Sequence, residues 1–283
     1  MVVKKVGILY HPMIETAHTL ADEIKETLTS SGVSVWLCPA PEGGKARALM
    51  NGTDLILTTG GDGTILRAAH VALKTGIPIT GINLGKLGFM TELSVAEYHS
   101  KLPALIAGSG WIDERAMLEV ELSPPGGDEK EKQTFFALND VVVARGVVAR
   151  IVHLETSIDG VPLTTYKADG IIMATATGST GYALSAGGPI LHPQADDFLL
   201  LPILPHLSSS YSLVLPEATE VKLRTSTPYQ ATLNIDGHIN LSISDSATVT
   251  VRHSQQRTRF LRIHPQKSFY GSLEKKLKGK QIK

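Results

Sequence analysis

The chain of 283 residues carries 27 Lys and Arg against 27 Asp and Glu, so it has no overall field for drawing in nucleic acid or an anionic membrane. Its length exceeds the usual size of one domain and predicts two, each with a substantial core. The one cysteine, Cys38, cannot form an intrachain disulfide, lies in no metal or redox motif and fits a reducing cytoplasm.

At the N-terminus, "MVVKKVGILYHPM" has two lysines before an apolar stretch that is too short for a signal-peptide core, and it reads as a first strand. "KVGILY", "VSVWLC", "DLILTT" and "IPITGIN" are short apolar runs with β-branched residues, as buried parallel strands should be. Helical stretches lie between them. In the first, Met13, Ala17, Leu20, Ile24 and Leu28 recur at three- and four-residue spacing, and Gly32 supplies a stop. This is βαβ organisation, whose sheets bind ligands at the carboxyl ends of their strands, where "GGDG" (residues 60–63) follows "DLILTT".

After about residue 113 the pattern turns to β. "MLEVELS", "TFFALNDVVVAR", "RIVHLETSID", "VPLTTY", "GIIMATA", "EVKLRT", "QATLNID", "HINLSI" and "TVTVRHS" are strand-like, with few helical intervals. Asp159-Gly160 predicts a two-residue hairpin turn, because both positions tolerate positive φ. "SPPGGDEKEKQ" reads as an exposed connection, and "SFYGSLEKKLKGK" as a final helix. Two long stretches without Asp, Glu, Lys or Arg, "GIIMATATGSTGYALSAGGPILHPQA" and "FLLLPILPHLSSSYSLVLP", are broken by Gly, Pro, Ser and Thr, so buried strands and loops are expected and no membrane span. The expected division is an α/β domain over 1–112, a β-rich domain over 113–264 and a terminal segment over 265–283.

Standard phosphate motifs nearly match twice and fail. "GGDGTIL" lacks the third glycine of a dinucleotide fingerprint, and "GINLGKL" is one residue short of a Walker A loop and lacks its Ser or Thr. The physical content of "GGDGT" survives. Gly60, Gly61 and Gly63 bare the backbone after a strand, Thr64 opens a helix whose N-terminus favours an anion, and Arg67 follows one turn later as a possible bidentate donor. Asp62 would repel phosphate there unless it serves a metal or takes a proton from an attacking hydroxyl; the plain alternative is a helix cap. A second stretch, "YKADGIIMATATGSTGYALSAGGPILHP", interleaves Lys167, Asp169, Thr177, Ser179, Thr180, Tyr182 and Ser185 with glycine. That composition suits ribose and phosphate, with Tyr182 as an aromatic face for a base; the alternative is a glycine-rich corner in a sheet.

At these stretches the chain resembles the NAD kinase family, which phosphorylates the 2′-hydroxyl of the adenosine ribose of NAD. The resemblance runs almost end to end, through "GGDGT", "NLGKLGFMTEL", "IDERAMLEVEL", "ALNDVVV", "YKADGIIMATATGSTGYALSAGGPI", "PILPHLSS" and "NIDGH" in that order. It implies a Rossmann-like N-terminal domain with a parallel sheet, a β-rich C-terminal domain, and a C-terminal segment that returns to the first domain. It makes Asp62 the proton acceptor, with Gly63 beside the nucleotide, and it gives Asn139 and Asp140 the nicotinamide side or its ribose. Thr180, Tyr182 and Ser185 would line the adenine and ribose site with Gly181, Ala183 and Leu184 between them. Lys167 and Asp169 would reach in from the preceding turn, and Arg150 and His238 would complete the pocket. Asp140 stands where the family commonly has Glu, Ala176 where it often has Pro, and Gly181 where Ala is usual.

The resemblance further implies ATP as donor, NAD as acceptor and a homo-oligomer, dimer or tetramer. No carboxylate cluster or His/Cys set is expected to form a dedicated metal cage, so Mg²⁺ is expected to arrive on the ATP phosphates. Two alternatives stay open: a lipid kinase with the same loop, and a dinucleotide sensor without turnover.

Overall fold

The computed structural model describes residues 2–85, 88–126, 131–147, 150–206, 210–227, 229–266 and 268–278. They fall into two compact units, Met1–Glu114 with Thr258–Lys283, and Arg115–Arg257.

The first unit runs β1 (Lys5–Tyr10), α1 (Glu15–Ser30), β2 (Ser34–Pro39), α2 (Gly43–Leu49), β3 (Leu55–Thr59), α3 (Asp62–Ala72), β4 (Ile79–Asn83), β5 (Leu93–Ser94), α4 (Val95–Ile106) and β6 (Trp111–Arg115). The chain re-enters it through β19 (Thr258–Arg262) and α6 (Ser268–Lys278). Its sheet has the order β2-β1-β3-β4-β19-β6, with β5 beside β4, and β1, β2, β3, β4, β5 and β19 pair in parallel. Every residue of β3 and β4 is buried, because helices cover both faces of such a sheet. Ala17, Leu20, Ala21, Ile24 and Leu28 form the inward face of α1 and share a core with Leu55, Leu57 and Ile82 and with Tyr98, Leu102 and Leu105 of α4. Gly32 follows the helix at φ +83°, the conformation that stops it. Met13, expected on the inward face, precedes the helix and is 86% exposed.

The second unit contains β7 (Leu118–Ser123), β8 (Gln133–Ala137), β9 (Asp140–Arg145), β10 (Val152–Ile158), β11 (Val161–Ala168), β12 (Gly170–Ala174), the short helix α5 (Tyr182–Ser185), β13 (Phe198–Ile203), β14 (Leu213–Leu215), β15 (Glu220–Thr225), β16 (Ala231–Ile235), β17 (Ile239–Ile243) and β18 (Thr248–His253). They form two sheets of six strands, β11-β10-β15-β18-β7-β8 and β14-β13-β12-β9-β16-β17. Alternating residues of both sheets meet in one core, among them Leu154, Tyr166, Leu223 and Val251 from the first and Val143, Ile171, Met173 and Leu233 from the second. The other face of the second sheet buries Val142, Ile172, Leu199 and Leu201 against Ala183. Burial on both faces explains why "GIIMA" and "FLLLPI" are unbroken apolar runs. They are strands, and among the described residues no helix is long and apolar enough to cross a membrane. Asp159 and Gly160 turn between β10 and β11 at φ +50° and +78°, as their identity predicts. Of the connection "SPPGGDEKEKQ", residues 127–130 lie outside the described ones.

Candidate active site

In the first unit, β3 delivers the glycine loop to the carboxyl end of the sheet. The Gly60 N–H is bonded to the Ile82 carbonyl at 3.1 Å, and a Cβ at Gly60 would collide with the Thr64 hydroxyl. Glycine is required there by the chain itself. At Gly61 and Gly63 a Cβ would meet nothing within 4 Å, so packing does not demand glycine at either. Their bareness opens the start of α3 to close approach by an anion at the N–H groups of Asp62 and Gly63, while the Thr64 N–H is bonded to the Gly61 carbonyl at 3.0 Å. The Thr64 hydroxyl is buried without a hydrogen-bond partner, and Arg67 lies half-buried one turn along the same helix.

Asp62 is the first residue of α3 but does not cap it; the N-cap is Gly61. Its two carboxylate oxygens instead accept the backbone N–H of Phe89 at 2.9 Å and of Met90 at 3.1 Å. Each oxygen keeps a second lone pair, so the group can still accept a proton from a hydroxyl. Gly88 is needed for this arrangement, since a Cβ there would run into the Asp62 carboxylate. Sequence reasoning gave Gly88, Phe89 and Met90 no role, although "NLGKLGFMTEL" was among the resembling blocks.

In the second unit, a second cluster gathers at one end of the sheet that contains β9 and β12. Asp140 begins β9 and pairs in register with Ala174, the last residue of β12. Asp236, in the turn after β16, accepts the N–H groups of Leu138, Asn139 and Asp140 at 2.8, 2.7 and 3.1 Å. The loop after β12 then folds over this corner. Gly178 has no room for a side chain against the Asn139 backbone, Thr180 is buried with its hydroxyl donating to the Thr177 carbonyl at 3.2 Å, and Gly181 lies beside Asn139 and Asp140. On α5, Ala183 is buried in the core, Leu184 is half-buried and Ser185 is exposed, with its hydroxyl 3.5 Å from the Gly181 carbonyl. Tyr182 is 48% exposed, which leaves its ring free to stack on a base. Asn139 Oδ1 is buried without a partner, and His238 Nδ1 lies 3.1 Å from the Asp236 carbonyl. Asp236 is a further residue that sequence reasoning left unassigned, inside the quoted "NIDGH".

Burial of Asp140, and secondarily the charge of Asp236, raises its carboxyl from 3.8 to about 7. A raised acid favours the protonated folded state, so stability falls as pH climbs from about 4 to 7, and the cost is complete above that range. Asp140→Asn, neutral throughout, should therefore raise the melting temperature at pH 8 by an amount worth on the order of 2–4 kcal/mol and change it little at pH 4. Thermal melts of both proteins across that range check it; equal melting at pH 8 contradicts it.

Three expected pocket residues lie elsewhere. Asp169 precedes β12 and pairs with Arg145 Nε at 3.1 Å, and Lys167 is exposed near the end of β11. Arg150 stacks over the Tyr229 ring at 4.9 Å, beyond the far end of β9. The length of β12, about 15 Å, separates them from Asp140, because a strand carries its two ends apart. A single chain does not bring Lys167, Asp169 and Arg150 to the Asn139–Ser185 cluster. Asp196, Glu217 and His253 place ligand atoms within 4.8 Å of one another, but Arg257 Nη2 lies 2.8 Å from Asp196 Oδ1 and sets a fixed cation against the group.

Known proteins resolve what this chemistry belongs to. Residues 6–109 match the ATP-NAD kinase N-terminal domain and residues 138–263 the ATP-NAD kinase C-terminal domain. The chain is 50% identical over 276 residues to an NAD kinase of Dehalococcoides mccartyi, covering 98% of this chain and 96% of that protein. It is 38% identical over 275 residues to an NAD kinase of Chloroflexus aurantiacus, covering 97% and 99%. An NAD kinase from Archaeoglobus fulgidus, solved in complex with ATP, superposes with a TM-score of 0.78 at 27% identity, over 97% of this chain and 99% of that one. Yeast NADH kinase, solved with NADH, shares the fold at a TM-score of 0.88 and 24% identity, over 100% and 89%. With both domains matched in order and relatives aligned over almost the whole length, the chain belongs to the ATP-NAD kinase family and is a kinase.

Proposed function

We propose that the protein transfers the γ-phosphoryl group of ATP to the 2′-hydroxyl of the adenosine ribose of NAD, with Asp62 as general base. One observation carries this reading: a carboxylate fixed through both oxygens at the first turn of a helix, beside Gly61 and Gly63, which are bare without any packing need. An attacking hydroxyl and a transferring phosphate must meet at such a place. Gly61, Gly63 and Arg67 bind phosphate, the loop amides offset its charge, and Asp62 takes the ribose proton as the oxygen attacks in line. Mg²⁺ arriving on the ATP phosphates would neutralise charge on the transferring group. Asn139, Asp140, Thr180, Tyr182, Ser185 and His238 hold the dinucleotide. The protein works in the cytoplasm as a homo-oligomer, and Arg150, Lys167 and Asp169, remote from that cluster within one chain, serve the site of a neighbouring copy.

Label transfer from γ-labelled ATP, offered in parallel to NAD, NADH and diacylglycerol vesicles, tests the assignment. Label in NADP or NADPH supports it. Label in the lipid, or binding of NAD without transfer, removes it. The acceptor pocket has its own test. Tyr182→Ala should weaken NAD binding by about 1–3 kcal/mol, the scale of stacking on an aromatic ring, with little effect on melting because the ring is half exposed. An unchanged affinity measured by calorimetry would take Tyr182 out of the pocket.

A further inference from the structure

The two N–H groups that hold Asp62 belong to Phe89 and Met90, outside the glycine loop and its helix. What fixes them comes from the far end of the chain. The Met90 carbonyl accepts Nη1 of Arg262, the last residue of β19, at 2.7 Å. Arg262 is buried, 5% exposed as a residue. Its Nε meets Asp113 at 3.2 Å, its Nη1 meets Glu92 at 3.3 Å, and its carbon lies 4.5 Å from the centre of the Phe260 ring. Glu92 in turn accepts the N–H groups of Ile263 and His264 at 2.8 and 2.7 Å, which ties the Met90 segment to the strand that carries Arg262. Met90 is thereby bonded at both backbone groups, its carbonyl to Arg262 and its N–H to Asp62.

A buried ion cluster of this kind is a poor source of net stability, because desolvation offsets the attraction, but it fixes geometry. The planar fork of arginine suits it, since one rigid group spans a carbonyl and two carboxylates; an ammonium is a point donor. We infer that Arg262 is a positioning residue for phosphoryl transfer: it fixes Met90, and Met90 with Phe89 fixes the orientation of the Asp62 carboxylate. The inference rests on Asp62 being the base.

A double-mutant cycle tests it. Arg262→Lys keeps the positive charge that Glu92 and Asp113 require and loses the fork. Its kcat should fall about 10–100-fold, the cost of a misplaced reacting group, while KM for NAD and for ATP stays within about threefold. In an Asp62→Asn background the same change should lower kcat by less than about twofold, because the group it acts through is already disabled. Labelled ATP makes the residual rates measurable. Equal losses in both backgrounds would make Arg262 a general structural residue and overturn the inference, as would a normal kcat for Arg262→Lys. If Arg262→Lys shows no cooperative melt, Asp113→Asn, which loosens the same guanidinium, takes its place in the cycle with the same two outcomes. Should Asp62→Asn alone keep its kcat, the general base falls and the inference with it, a result distinct from any failure confined to Arg262.

Discussion

Asp62→Asn is expected to lower kcat by about 10²–10⁴-fold, the usual contribution of a positioned general base. The amide preserves shape and still accepts one of the two N–H groups from Phe89 and Met90, but it cannot take the ribose proton. Affinities should change far less. In the proposed mechanism phosphate binding falls to the bared loop and α3, so ATP binding should hold or strengthen once a negative charge is removed. Single-turnover kinetics beside direct titration of NAD and ATP separate the two quantities. Near-normal turnover would reduce Asp62 to a residue that only ties the loop to the Met90 segment.

Gly88→Ala should act on the same carboxylate from the opposite side. The added methyl would collide with Asp62, and the carboxylate must rotate away from the position its two N–H partners define. A fall in kcat of about 10²-fold is therefore expected, with the melting temperature moved by only a few degrees. Steady-state kinetics with a thermal melt check it. Full activity would show that the carboxylate orientation carries no catalytic weight, and loss of folding would show that Gly88 serves packing instead.

The sequence is most legible where local rules decide. The parallel strands, the inward stripe of α1, the Gly32 stop and the Asp159-Gly160 turn all follow from periodicity or from the φ values that glycine and aspartate tolerate. Asp62 stands out as a candidate for a different reason: a charge among glycines at a strand end conflicts with plain phosphate binding and calls for a second role. What sequence left unread depends on distance along the chain. Arg262 meets Met90 and Glu92 across more than 160 positions, and nothing in "RFLRI" marks it as partner to a loop near residue 90. Asp236 likewise anchors the backbone of residues 138–140 from almost a hundred positions away. Lys167 and Asp169 mislead about placement within one chain for the opposite reason. They are close in sequence to the Thr180–Ser185 loop, yet β12 is extended and carries the two apart.

The most direct test of the central claim is the stoichiometry and position of transfer. Purified protein with Mg²⁺, ATP and NAD should yield one ADP for each new dinucleotide phosphate, and that product should be reduced by an NADP-specific dehydrogenase, which reads the 2′-phosphate. Consumption of ATP without such a product, or saturable NAD binding with no ADP released, would contradict it.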